Sequence, residues 1–146
     1  MEEKLKADLK QAQLARDILR VSTLRLLISE INNAKIQKGD SLSGQEMINI
    51  IRRELKKRTE AAAGFRQGSR EELAGKEEAE AEILKAYLPV QMTDEELTKV
   101  VGEVITEEGV TSLQDTGRVI GVVMGRVAGK ADGGRVSVLV KEKLTN

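Results

Sequence analysis

Cysteine, histidine and tryptophan are absent from this 146-residue chain, and proline, tyrosine and phenylalanine occur once each. Without cysteine or histidine there is no thiol or imidazole nucleophile, no Ser-His-Asp triad, no Cys/His zinc site and no disulfide. The lack of cysteine fits a reducing compartment, and the expectation is a cytoplasmic protein. So few aromatic rings leave nothing on which nucleobases could stack, which argues against single-strand readers of the RRM or OB kind. Any nucleic acid bound here would be recognised by shape and phosphate. The first residues, MEEKLKADLK, contain no apolar signal-peptide core. No stretch approaches the ~18 continuous apolar residues of a membrane span, so no membrane is expected as a partner, and without cysteine or histidine no metal is expected either. No cofactor motif is visible.

What the chain does contain is helix-forming material. Hydrophobic residues make up 40% and charged residues 33%, with 24 basic residues balanced by 24 acidic ones. The balance is uneven along the chain: residues 1–60 and 116–146 are basic, and 61–115 are acidic. Apolar positions recur at helical spacing, as in Val21, Leu24, Leu27, Ile28 and Ile31. Gly39 supplies a stop signal after the second helix. Ser43 with Glu46 and Thr93 with Glu96 are spaced as capping boxes, and Ser69 with Glu72 gives a third.

The third helix is expected over Gly44–Phe65, with Arg58 on its apolar stripe and Glu54 one turn earlier as its partner. The fourth is expected over Arg70–Leu88, with Leu73, Ile83, Leu84, Tyr87 and Leu88 inward and Pro89 as terminator. Glu77, Glu78, Glu80 and Glu82 read as an exposed acidic face without partners. The fold class expected is all-α: an N-terminal helical domain of about four helices, residues 1–89, and a small C-terminal three-helix bundle, residues 90–146.

Two features of the C-terminal part bear on function. Gly117, Gly121 and Gly125 stand four apart on one helix face, where each costs about 1 kcal/mol against alanine. Close approach by a neighbouring helix is the favoured explanation, and approach by a nucleic-acid backbone or a partner is the alternative. Next, the run Arg126–Arg135 combines flexible glycines, cations and a helix N-terminus, the ingredients of an anion site. Arg118, Arg126, Lys130 and Arg135 could surround it. A Walker A loop is excluded, because three residues rather than four separate Gly125 from Gly129 and Ala131 stands at the required Ser/Thr position. Asp132, the expected N-cap of the last helix, competes with an external phosphate for the same N–H groups. No catalytic set of residues is found.

Several segments together carry a family likeness. VSTLRLL, RRELKKR, ILKAYLPVQMTDEEL and GRVIGVVMGRVAGKADGGRVSVLVKEKL resemble YqeY proteins, stand-alone relatives of the tail of the B subunit of the glutamine-dependent aspartyl/glutamyl-tRNA amidotransferase. Gly125 departs from the pattern, standing where many relatives are expected to have proline. The resemblance implies an all-α, two-domain accessory protein whose similar tail, in the amidotransferase, helps to hold the tRNA elbow. It makes Arg118, Arg126, Gly129, Lys130, Gly133 and Arg135 the candidate tRNA-backbone contacts, and tRNA the candidate partner. A carbon–nitrogen ligase label (glutamine as amido-N-donor) would describe the larger assembly, since the resemblance supplies no catalytic residue. The alternative is a helical protein-interaction module that docks an aminoacyl-tRNA synthetase or an amidotransferase subunit without touching RNA. A transferase in its own right is the least favoured reading.

Overall fold

A computed structural model describes residues 1–145. Seven α-helices follow one another: α1 (Glu2–Leu14), α2 (Ile18–Lys38), α3 (Gly44–Gln67), α4 (Glu71–Lys85), α5 (Asp94–Glu108), α6 (Thr116–Val127) and α7 (Gly133–Thr145). A single 3-10 turn, Leu113–Asp115, leads into α6, and no strand occurs among the described residues. The fold is all-α, as the periodicity predicts. The chain divides into two compact units, Met1–Leu88 and Pro89–Asn146.

Helix boundaries follow local chemistry closely. Asp17 caps α2 by accepting the Arg20 N–H, and Gly39 closes the helix in the left-handed region at φ 77°. Ser43 and Glu46 form a reciprocal capping box at α3, and Thr93 and Glu96 form one at α5. The third box is not formed. Ser69 has φ 59° and Arg70, not Ser69, precedes α4, so the hydroxyl never reaches an N-cap position. Left-handed backbone after α3 has displaced the start by one residue.

The first unit packs Leu5, Leu24, Leu27, Ile31, Ile50, Ile51, Leu84 and Tyr87 into one hydrophobic cluster, aliphatic but for the tyrosine ring. Leu73 is not inward but 40% exposed; Ala74, Ala81 and the expected Leu84 are the buried positions of α4. Small residues there let α4 lie close against α3. Between these helices sits a buried ion-pair cluster. Glu54 and Arg58 are 3% and 6% exposed, and Arg58 Nη1 donates to Glu54 Oε2 at 2.9 Å. The Glu54 partnership was legible in the spacing. Arg58 does more than cover the core with its stem: its head is buried too, and Glu80 of α4 lies 3.4 Å from its Nε. The acidic stretch of α4 is therefore not partnerless: Glu78 pairs with Arg66 and Glu82 with Lys85 as well. Burial alone would raise the Glu54 pKa, but hydrogen bonds from Lys57 and Arg58 outweigh it and hold the carboxyl below its usual range.

The second unit has a core of valines. Leu97, Val101, Val104, Val110, Val119, Val123, Val127, Ala131, Val136 and Val140 form one cluster without a charged member. β-Branched residues are tolerated in these helices because tertiary packing overrides their modest propensity penalty.

Candidate nucleic-acid interface

Helix α5 is the ruler on which the predicted cations are laid out. Arg135, on the first turn of α7, donates through Nε to Asp94 Oδ1 at 3.2 Å and through Nη2 to the Met92 carbonyl at 3.0 Å. Asp94 is the first residue of α5. Arg126, on the last turn of α6, makes a fork-like pair with Glu107, near the end of α5. The adjacent Glu108 lies 4.0 Å from Arg118 Nε. Asp94 and Glu107 are thirteen residues apart on one helix, and at 1.5 Å per residue that separates Arg135 from Arg126 by about 20 Å. The structure does not bring the four cations to one corner. Arg118 and Arg126 share one end of α5, and Arg135 the other.

Each arginine also faces a carboxylate. The Glu107 hydrogen bonds hold the Arg126 guanidinium above its ordinary pKa, and Arg126 holds Glu107 below the carboxylate range. All six side chains are at least partly solvated, so these pairs are weak and exchangeable. Lys130 differs: it is exposed, and no carboxylate pairs with it among the described residues.

The turn carrying Lys130 has an internal task. Ala128 and Gly129 both adopt left-handed backbone, at φ 48° and 82°. They end α6 and reverse the chain, a conformation glycine takes without strain. Gly129 is buried rather than presented to solvent, and its carbonyl accepts a hydrogen bond from Gln91 Nε2 at 3.4 Å. The Met92 N–H donates to the Lys130 carbonyl at 2.8 Å. Together with Arg135, these bonds stitch the segment before α5 to the α6–α7 turn. Gly133 is exposed and opens α7. Asp132 occupies the helix start as the sequence predicts, its Oδ1 accepting the Gly134 N–H at 2.6 Å. That carboxylate takes an amide which a phosphate would otherwise use.

The glycine stripe has a different explanation from the one its spacing favours. Gly117, Gly121 and Gly125 are all exposed, and a Cβ built on any of them meets nothing within 4 Å. No helix of the second unit approaches them. All three lie on the α6 face next to Arg118, with ordinary helical φ, so the backbone is bare to solvent there. Sequence reasoning missed the neutralising partners Asp94, Glu107 and Glu108. They sit on a different helix, at separations of 41, 19 and 10 residues, and pairs so placed leave no periodic signal.

No cluster of His, Cys, Asp or Glu suited to a metal ion occurs among the described residues. None of their helices is long and apolar enough to cross a membrane.

The family described as Yqey-like protein matches this sequence over residues 2–144. The protein named altered inheritance of mitochondria protein 41, mitochondrial, from Vanderwaltozyma polyspora is 32% identical over 118 residues, covering 76% of this chain and 64% of the relative. Its namesake from Clavispora lusitaniae is 34% identical over 106 residues, 70% of this chain and 61% of the relative. A third, from Pyrenophora tritici-repentis, is 29% identical over 145 residues, 95% and 78% of the two chains. The chain thus spans about three-fifths of the length of the first two. Their names place those relatives in mitochondria, which lends no support to the cytoplasmic expectation for this one.

Proposed function

This chain belongs to the YqeY-like family, and on that premise we propose that it is a tRNA-binding accessory protein without chemistry of its own. It would grip folded RNA along α6 through phosphate contacts. The observation that carries this reading is the bare glycine face. Three glycines in a 12-residue helix destabilise it by about 1 kcal/mol each relative to alanine. Nothing inside the second unit packs there in compensation. A polyanion backbone lying against that face would meet main chain instead of side chains, with Arg118 and Arg126 beside it and Lys130 beyond the helix end. Such unexplained local cost is characteristic of functional surfaces.

The arginines reach phosphate by exchanging partners. Each gives up a solvated carboxylate for a phosphate oxygen, so binding is weaker than an open cationic cleft would allow and depends on salt through counterion release. The resemblance to the amidotransferase tail makes bulk tRNA the first RNA to test, and an aminoacyl-tRNA synthetase or amidotransferase subunit the first protein partner.

The test is a titration with bulk tRNA at two salt concentrations. Affinity should fall with added salt, and Lys130→Ala and Arg118→Ala should each weaken binding and flatten the salt slope by about one. Glu107→Gln, which releases Arg126, should strengthen binding. Salt-independent binding, or an unchanged affinity in all three variants, refutes the reading.

A further inference from the structure

The solvent face of α2 is unlike any other exposed helix face in the first unit. Ile18 and Ile36, at its two ends, are 83% and 77% exposed, and Leu26 between them is 46% exposed. Their spacing sets the two isoleucines on one line along the helix, about 27 Å apart at 1.5 Å per residue. Ser22, Ser29 and Asn33 fill the gaps, and Arg25 is the only charge on the line. In a chain that is one-third charged, a 21-residue helix whose outer face carries a single cation and two bare isoleucines is built like one covered on every side. Helices α1, α3 and α4 cover the rest of it.

At the N-terminal end of this face a shallow groove is lined by Arg16, Ile18, Val21, Ser22, Arg25 and Leu26 together with Gln13 of α1, with no carboxylate among them. Arg16 and Arg25 are exposed, and neither pairs with a carboxylate among the described residues. The arginines of the second unit discussed above all have one. The occupant must therefore bring both carboxylates and aliphatic side chains, on a straight element about as long as α2.

We propose that the outer face of α2 docks an amphipathic acidic helix of a partner protein, whose aliphatic stripe covers Ile18, Leu26 and Ile36 and whose flanking carboxylates pair with Arg16 and Arg25. Helix-on-helix packing suits the i, i+4, i+7, i+8 spacing of Ile18, Ser22, Arg25 and Leu26. A second copy of this chain fits poorly, because the same face would set Arg25 against a surface that also lacks carboxylates. RNA fits poorly as well, because phosphates gain nothing from covering isoleucine. The docking face is separate from α6 and does not depend on tRNA binding.

The probe is a pair of synthetic 18-residue amphipathic helices with leucine at the i, i+3, i+4, i+7 positions, one flanked by glutamates and the other by lysines, titrated into the full chain by fluorescence anisotropy. The glutamate peptide should bind at least tenfold tighter than the lysine peptide. Ile18→Ser should weaken it at least tenfold, and Arg25→Glu should reverse the preference between the two. The helical circular dichroism of both variants should remain that of the parent, because both positions face solvent. Equal binding of the two peptides, or binding indifferent to both substitutions, overturns the proposal. So does a concentration-dependent dimer that Ile18→Ser abolishes, which would assign the face to a second copy. Loss of tRNA affinity in Ile18→Ser also overturns it and gives the face to RNA. Failure of the Lys130 and Arg118 titration leaves peptide binding unaffected, so the two readings fail separately.

Discussion

The two units treat charge in opposite ways. The first buries an ion-pair cluster, Glu54–Arg58–Glu80, inside its core and leaves Arg16 and Arg25 unpaired at its surface. The second has a core of Val, Leu and Ala without charge and fastens Arg118, Arg126 and Arg135 to carboxylates outside. The lesson is that a local count of cations says little about where an anion can bind. The segment richest in glycine and cation is already largely neutralised, whereas the helix with one cation on its face is open. Burial also sets the worth of each pair. Inside, a broken pair strands a charge in a dry environment; outside, water replaces the lost partner.

The sharpest way to break this comparison is to remove one charge from each unit. Glu54→Ala should destabilise the first unit by about 3–5 kcal/mol, because it leaves the Arg58 guanidinium buried with its main partner gone. Urea denaturation followed by circular dichroism measures this. The double replacement Glu54→Leu with Arg58→Met should recover most of the loss, since similar volume is kept and no charge is stranded.

Acid should separate the units next. In the first, Glu2 is held below its usual pKa by Lys35, Asp8 by Tyr87 and then Lys4, and Glu54 by Lys57 and Arg58. Because these folded-state values lie below the unfolded ones, their stabilisation is complete above the ordinary glutamate value near 4.5 and is lost as the pH falls through the depressed values. Glu107 of the second unit is depressed as well but exposed and outside its core, so amide NMR signals of the first unit should collapse before those of the second as the pH is lowered from 6 to 3. Simultaneous loss would show that the buried pair does not distinguish the units.

A smaller effect of opposite sign is expected in the second unit. Gly121→Ala should stabilise it by about 1 kcal/mol, since φ is helical and a Cβ there enters open space. The same substitution should weaken tRNA binding, and a thermal melt with a parallel titration reads both. The smallest effect is that of Glu107→Gln. Its midpoint in urea should match the parent protein while tRNA affinity rises, because the carboxylate latches Arg126 without supporting the core.

Much of the architecture was written locally. Asp17, the Ser43–Glu46 and Thr93–Glu96 boxes and Gly39 act through backbone groups within a few residues of themselves, so their effects can be read from short stretches of chain. The Ser69 box failed because the left-handed Ser69 backbone depends on how α3 ends, which the S-x-x-E pattern does not encode. The candidate interface was legible only as a set of residue types. That Arg126 meets Glu107 and Arg135 meets Asp94 follows from how α6 and α7 cross α5. The vacant space above Gly117, Gly121 and Gly125 likewise follows from which face α6 turns away from the valine core.

Sequence alone therefore determined the helices, all but one of the expected capping boxes, the largely aliphatic character of both cores and the family likeness, because each rests on near-neighbour hydrogen bonding, periodicity or residue identity. Tertiary structure decided which charges cancel, which glycines stand bare and which helix face remains uncovered. Those properties depend on distances between residues far apart in the chain, and only the packing of one helix on another sets such distances.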